Sequence, residues 1–194
     1  MATEPRTTDL TYEDLVHMYP DVDNDVDIFR RELIDGELIV TAAPGARHQD
    51  AVLRLGATLL AWCDRNGGKV YVAPRDVYFT ERDVVEPDVV FVRAENLERD
   101  EDRFVRGAPD VVVEVSSPST RRLEIHRKRE LYERMGVLEY WYVDLDAERV
   151  EIYRLQEGRY GLPTLLDRGS SLESPLVPGF SIAVDDLLGP PPES

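Results

Sequence analysis

Short stretches of alternating or unbroken apolar residues, separated by turn residues, make up most of this chain, and two longer stretches repeat at helical spacing instead. In Arg31-Glu32-Leu33-Ile34-Asp35-Gly36-Glu37-Leu38-Ile39-Val40, an Asp-Gly pair between apolar runs predicts a two-residue hairpin. That register puts Glu32, Ile34, Glu37 and Ile39 on one face of the ribbon. Thr11 to Tyr19 predicts a short helix capped by Thr11 or Thr8, and the acidic run Asp21 to Asp27 reads as a loop. From Arg47 to Arg65, Ala51, Val52, Leu55, Leu59, Leu60 and Cys63 recur at helical spacing, and Asn66-Gly67-Gly68 ends the segment. Strands are predicted at Lys69–Val72, Asp76–Thr80, Asp88–Val92 and Asp110–Ser116. A second helix is expected from Arg121 to Met135, closed by Gly136. Strands at Glu139–Asp144 and Arg149–Arg154 follow, joined by a turn, and Gly169 to Val184 mixes turn and strand.

A length of 194 residues with 42% apolar content suits one buried core. The expected division is residues 1–30 as an N-terminal helix and acidic loop, 31–188 as the domain proper, and 189–194 as a frayed tail. No stretch approaches membrane-spanning length, and the lone Cys63 cannot form an internal disulfide, so a cytoplasmic protein that does not act at a membrane is expected. The formal net charge of −16 argues against broad contact with nucleic acid, which is driven by lysine and arginine. Much of the acid lies in loop runs, however, while Arg121, Arg122, Arg127, Lys128 and Arg129 cluster, and a local field need not follow the net charge.

Two acids stand where acids are costly. Alternation places Asp110, Val112, Glu114 and Ser116 on one strand face, so Glu114 projects from the middle of a valine run; Asp88 opens another. Lys128 has Leu131, Tyr132 and Met135 at +3, +4 and +7, which puts its amine in the core-facing stripe of the second helix. Two carboxylates and an ammonium around one cleft could hold Mg²⁺ or Mn²⁺ and neutralise charge on a phosphate.

The ordered series Glu32-Leu33-Ile34-Asp35-Gly36-Glu37, His48, Glu86-Pro87-Asp88, Pro109 to Thr120, Lys128 to Val137 and Glu139 to Asp144 resembles the Uma family of restriction-endonuclease-like proteins, within the PD-(D/E)XK nuclease superfamily. The resemblance covers Arg31 to Arg154. It implies an α/β (α+β) fold with a mixed sheet flanked by helices and an N-terminal hairpin, a divalent metal (Mg²⁺ or Mn²⁺) and hydrolysis of phosphodiester bonds in nucleic acid, DNA before RNA. By the same resemblance Asp88 and Glu114 are the metal-binding acids, Lys128 the lysine and Glu32 an accessory glutamate. The superfamily's lysine usually stands two residues after the second acid, where this chain has Ser116; the resemblance implies an amine displaced to Lys128. His48 and Ser116 are expected beside the acids rather than on the metal.

Competing readings remain for several residues. Asp88 could satisfy backbone donors at a strand start, Lys128 could pair with Glu124, Glu32 and Glu37 could solvate the hairpin edge, and His48 could be a structural histidine. Asp110 reads as an acid that anchors its strand, the turn from Ser116 to Thr120 as a helix cap, and Tyr140, Trp141 and Tyr142 as core or interface. A non-catalytic interaction protein built on the same fold, and a phosphohydrolase for small molecules, are the alternative functions. A homodimer is expected because the half from Trp141 onward carries more apolar surface than one helix pair can cover.

Overall fold

The computed structural model describes residues 9–19, 29–116 and 123–191. The alternative cap Thr8, the acidic run 21–27, the turn 117–120, the pair Arg121 and Arg122, and the side chain of Glu124 lie outside the described residues.

Helix α1 (Tyr12–Met18) starts at Thr11, whose hydroxyl accepts from the Asp14 amide while the Asp14 carboxylate accepts from the Thr11 amide. Strands β1 (Phe29–Ile34) and β2 (Glu37–Ala42) form the expected hairpin with Ile34 opposite Glu37. Its two turn residues take the positive φ that a primed turn demands, 55° at Asp35 and 76° at Gly36. Helix α2 (Ala46–Asn66) follows, then β3 (Lys69–Val72), β4 (Asp76–Thr80), β5 (Asp83–Val85) and β6 (Val89–Val92). After a 3-10 turn at Ala94–Arg99 come β7 (Phe104–Arg106) and β8 (Val111–Val115). A π-helical turn, Leu123–Lys128, runs into α3 (Arg129–Met135), which Gly136 closes at a left-handed φ of 84°. The second helix is therefore not uniform: it narrows from π to α geometry at Lys128, a kind of irregularity found often at functional positions. The chain ends with β9 (Glu139–Asp144), β10 (Arg149–Gln156), β11 (Arg159–Tyr160), β12 (Thr164–Asp167), β13 (Ser171–Ser174), β14 (Val177–Ala183) and α4 (Val184–Leu188).

The central sheet runs β11-β10-β9-β8-β6-β3, with β12 also paired to β10; a smaller sheet runs β2-β1-β5-β4-β7. Strands β8 and β9 are parallel, as a crossover through α3 requires, and β6 pairs antiparallel with β8. One face of the central sheet, with Val111, Val113, Val115 and Trp141, packs on Leu55 and Leu59 of α2 and on Phe180, Ile182 and Leu187. The opposite face, with Val90, Val112, Tyr140 and Tyr142, packs on Leu131 and Tyr132 of α3 and on Ile34, Val77 and Val85 of the smaller sheet. Strands β5 and β7 escaped the sequence reading because three residues are too few to show alternation.

In the half from Trp141 onward, Leu162 and Leu165 are exposed, but the aromatic residues at its start are covered within the chain. Tyr140, Trp141 and Tyr142 are fully buried within one chain, and Trp141 stacks on Phe180 with ring centroids 6.0 Å apart. Strand β14 and helix α4 supply cover that the two predicted helices alone could not. The Gly189 carbonyl accepts from Arg168 Nη2 at 3.0 Å, which ties down the start of the tail. Among the described residues, no helix is long and apolar enough to cross a membrane.

Candidate functional site

Alternation along β8 turns Val112 and Glu114 to the α3 face, and Glu114 is fully buried there. Because Val89 stands opposite Val113, continuing that antiparallel register sets Asp88 opposite Glu114. Lys128, from the π-to-α junction, reaches down between the layers: its Nζ lies 2.9 Å from Glu114 Oε1 and 2.8 Å from Glu32 Oε1. Tyr132, one turn further on, donates its hydroxyl to the same Glu114 oxygen at 2.6 Å. Glu32 Oε1 also accepts from the Glu86 amide at 2.8 Å, which stitches the smaller sheet to the strand that leads into Asp88.

Asp88 has a different set of partners. Its Oδ2 accepts from the Val115 amide at 2.7 Å and lies 3.0 Å from His48 Nε2, while its Oδ1 accepts from Arg30 Nη2 at 2.9 Å. Arg30 Nε pairs in turn with Glu86 Oε1 at 2.9 Å. The sequence reading missed Arg30, although alternation along β1 puts it on the same face as Glu32, two residues on.

Among the described residues Glu32, Glu86, Asp88 and Glu114 thus meet Arg30 and Lys128, with His48 against Asp88, so acidic side chains outnumber basic ones. The titration behaviour follows from that excess. Burial pushes the Glu114 carboxyl up to about 7, the charges of Asp88 and Glu32 push the same way, and Lys128 and Arg30 only partly oppose them. Burial likewise lifts Glu86 to about 6, aided by Asp76 and Glu32 against Arg30. Asp88 goes the other way, to about 2: burial disfavours its charge, but the His48 hydrogen bond, the Arg30 charge and the Val115 amide outweigh it. Desolvation works against the Arg30 charge, yet Asp88, Glu114 and Glu32 together raise its pKa.

Two oxygens in the cluster stand apart. Glu114 Oε2 and Glu32 Oε2 are buried without a hydrogen-bond partner among the described residues, whereas their Oε1 atoms carry all the contacts above. A buried carboxylate oxygen left open is unfavourable unless something positive comes to it. Carboxylate oxygens are the donors a hard divalent cation takes, but among the described residues no three such groups are arranged around a common point to hold one; Lys128 and Arg30 lie against the acids instead.

The remaining predicted residues fall as follows. The Ser116 hydroxyl accepts from the Leu145 amide at 2.9 Å and is not brought to the cluster. Glu37 is exposed on the hairpin and pairs with Arg127 at 3.0 Å. Asp110 is buried and fully engaged by the Arg93 amide, Arg93 Nε and Asn96 Nδ2, each at 2.8 Å.

Residues 12–185 match the model of the Uma2 family, described as "Putative restriction endonuclease". The chain belongs to this family. The Uma2-family chain is also similar to a crystal structure from Anabaena variabilis described as "a putative nuclease belonging to DUF820": TM-score 0.73, 17% identity, covering 92% of this chain and 97% of that one. No curated protein matches it. At that identity the likeness speaks to fold alone, and the fold is restriction-endonuclease-like: a mixed α+β architecture with helices flanking the sheets.

Proposed function

We propose that this protein is a divalent-metal-dependent endonuclease that hydrolyses phosphodiester bonds in nucleic acid. The observation that carries this reading is the pair of buried, open carboxylate oxygens on Glu114 and Glu32 beside Asp88 and a buried lysine. Asp88 and Glu114, with Glu32 in support, would hold Mg²⁺ or Mn²⁺. The metal would supply an activated water and charge neutralisation at the phosphate. Lys128 would steady the attacking water or the charge building on phosphate oxygens. His48 and the Val115 amide orient Asp88, which keeps its charge in the right place without touching substrate. The family description favours DNA over RNA as substrate. A cytoplasmic location and a homodimer are part of this reading, the dimer supported by the exposed Leu162 and Leu165 rather than by the buried Trp141.

Supercoiled plasmid incubated with the protein and Mn²⁺ or Mg²⁺ should be nicked or linearised, and Glu114→Gln should abolish this while the protein still folds and melts cooperatively. A panel of DNA and RNA substrates that stays uncut with either metal would sink the enzymatic claim.

One specific observation favours a non-catalytic protein on the same fold: Lys128 already bridges Glu32 and Glu114, and Arg30 already bridges Glu86 and Asp88, so the cluster holds itself together without metal. Titration calorimetry separates the readings. Mn²⁺ binding that Asp88→Ala removes supports the enzyme, and no binding supports the alternative.

A further inference from the structure

Arg30 has no counterpart among the residues that the family resemblance assigned to the site. Its side chain is 16% exposed, it shares a strand face with Glu32, and it grips two acids at once, Glu86 through Nε and Asp88 through Nη2, each at 2.9 Å. A guanidinium does not give up its proton, and its fork suits two carboxylates better than an ammonium would. Asp88 Oδ2 already meets His48 and the Val115 amide and Oδ1 carries only the Arg30 contact, so a further cation on this carboxylate has to take Oδ1 beside the guanidinium or displace a partner of Oδ2. Two positive centres on one carboxylate repel strongly in a site this dry.

We propose that Arg30 is a resident counter-cation that competes with the divalent metal for Asp88, holding the acid in place in the metal-free protein and giving up its Asp88 contact when metal binds. This rests on the metal site proposed above and adds a positioning residue to it. Glu86 keeps the displaced guanidinium tethered, so the exchange needs only a side-chain movement within β1. Metal affinity is thereby set below what the four acids would otherwise confer.

Mn²⁺ titration of the full chain by calorimetry, with circular dichroism to confirm folding, tests it on wild type, Arg30→Gln and Arg30→Lys. Arg30→Gln should bind Mn²⁺ at least tenfold more tightly than wild type. Arg30→Lys decides between contact and charge, because it keeps the charge but cannot grip both acids: it should tighten binding about threefold or more. Equal or weaker binding by Arg30→Lys overturns the competition, even if Arg30→Gln tightens, since net charge alone would then account for the effect. Should Arg30→Gln fail to fold, the Arg30→Lys result stands by itself. Failure of wild type and both variants to bind Mn²⁺ at millimolar concentration would refute the metal site and this inference together. Binding by all three without tightening refutes only the role of Arg30.

Discussion

Asp88 and Asp110 invite comparison, because each follows a proline, each leads into a valine-rich strand, and both are at most 1% exposed. Each also accepts three hydrogen bonds, one of them from a backbone amide and one from an arginine. Taken one at a time they are equally well satisfied. Their neighbourhoods differ. Asp110 meets Arg93 and Asn96 and locks a strand to the 3-10 turn before it, whereas Asp88 stands in a group where, among the described residues, acids outnumber cations and two buried glutamate oxygens have no hydrogen-bond partner. A buried acid matched by its own arginine holds its charge; buried acids in excess of their cations are relieved by taking up protons or by a further positive charge.

The largest effect that could break this distinction is on activity. Asp88→Asn and Glu114→Gln should each lower the rate of DNA cleavage by about a thousandfold or more, the scale on which a group that stabilises transition-state charge is lost. Asp110→Asn should leave the rate within about threefold of wild type in the same plasmid assay. Equal losses at both aspartates would erase the comparison. Next in size is the loss of the amine. Lys128→Ala strands Glu32 and Glu114 in a dry layer, and denaturant unfolding at neutral pH should show a loss of about 3–5 kcal/mol. Added Mn²⁺ should recover part of that loss if a divalent ion can take the place of the ammonium's charge.

How far this contrast could be read from the chain differs residue by residue. Glu114 and Lys128 were legible because each breaks an apolar pattern of known period, so burial could be inferred before any coordinates. The Asp-Gly turn fixed the hairpin register and put Glu32 and Glu37 on one face, but only the family resemblance singled out Glu32, which is buried while Glu37 is exposed. Arg30 was not legible, since an arginine at a strand start reads as solvated until the neighbouring sheet is known to cover it. Ser116 was placed beside the acids by alternation, but the strand ends at Val115, and its hydroxyl turns to the Leu145 amide instead. The open oxygens of Glu114 and Glu32 were beyond reach, because pairing is decided by three-dimensional neighbours and not by spacing.

Stability of the structural acid gives a smaller effect. Asp110→Ala removes the partner of Arg93 and Asn96 and leaves a backbone amide unpaired, so unfolding should cost about 2–3 kcal/mol less, a loss added Mn²⁺ does not restore. The same substitution at Asp88 should respond to Mn²⁺ differently, because in the proposed site a metal would lose a ligand there.

The smallest effect, and the one most specific to an excess of acid, is the pH dependence of stability in chelator. Glu114 has its folded pKa lifted from 4.5 to about 7, and Glu86 from 4.5 to about 6. Between pH 4.5 and 7 the native state therefore binds more protons than the unfolded chain, so stability must fall as pH rises through that window. Asp88 contributes with the opposite sign and elsewhere: its pKa is lowered from 3.8 to about 2, so its contribution is fully present above 3.8 and disappears only as pH falls through 2. Neighbouring acids share protons, so the shifts of Glu114 and Glu86 do not simply add, and a decline on the order of 2 kcal/mol is expected. Urea unfolding at half-unit steps across the window would measure it. Glu114→Gln should flatten most of the slope, because the amide cannot ionise, and saturating Mn²⁺ should flatten it in wild type by favouring the carboxylate form. Asp110→Asn should leave the slope as it is. A wild-type curve that is flat in chelator, or one whose slope survives Glu114→Gln, would mean that the acids are matched by charges nearer than Arg30 and Lys128, and the contrast between Asp88 and Asp110 would lose its physical basis.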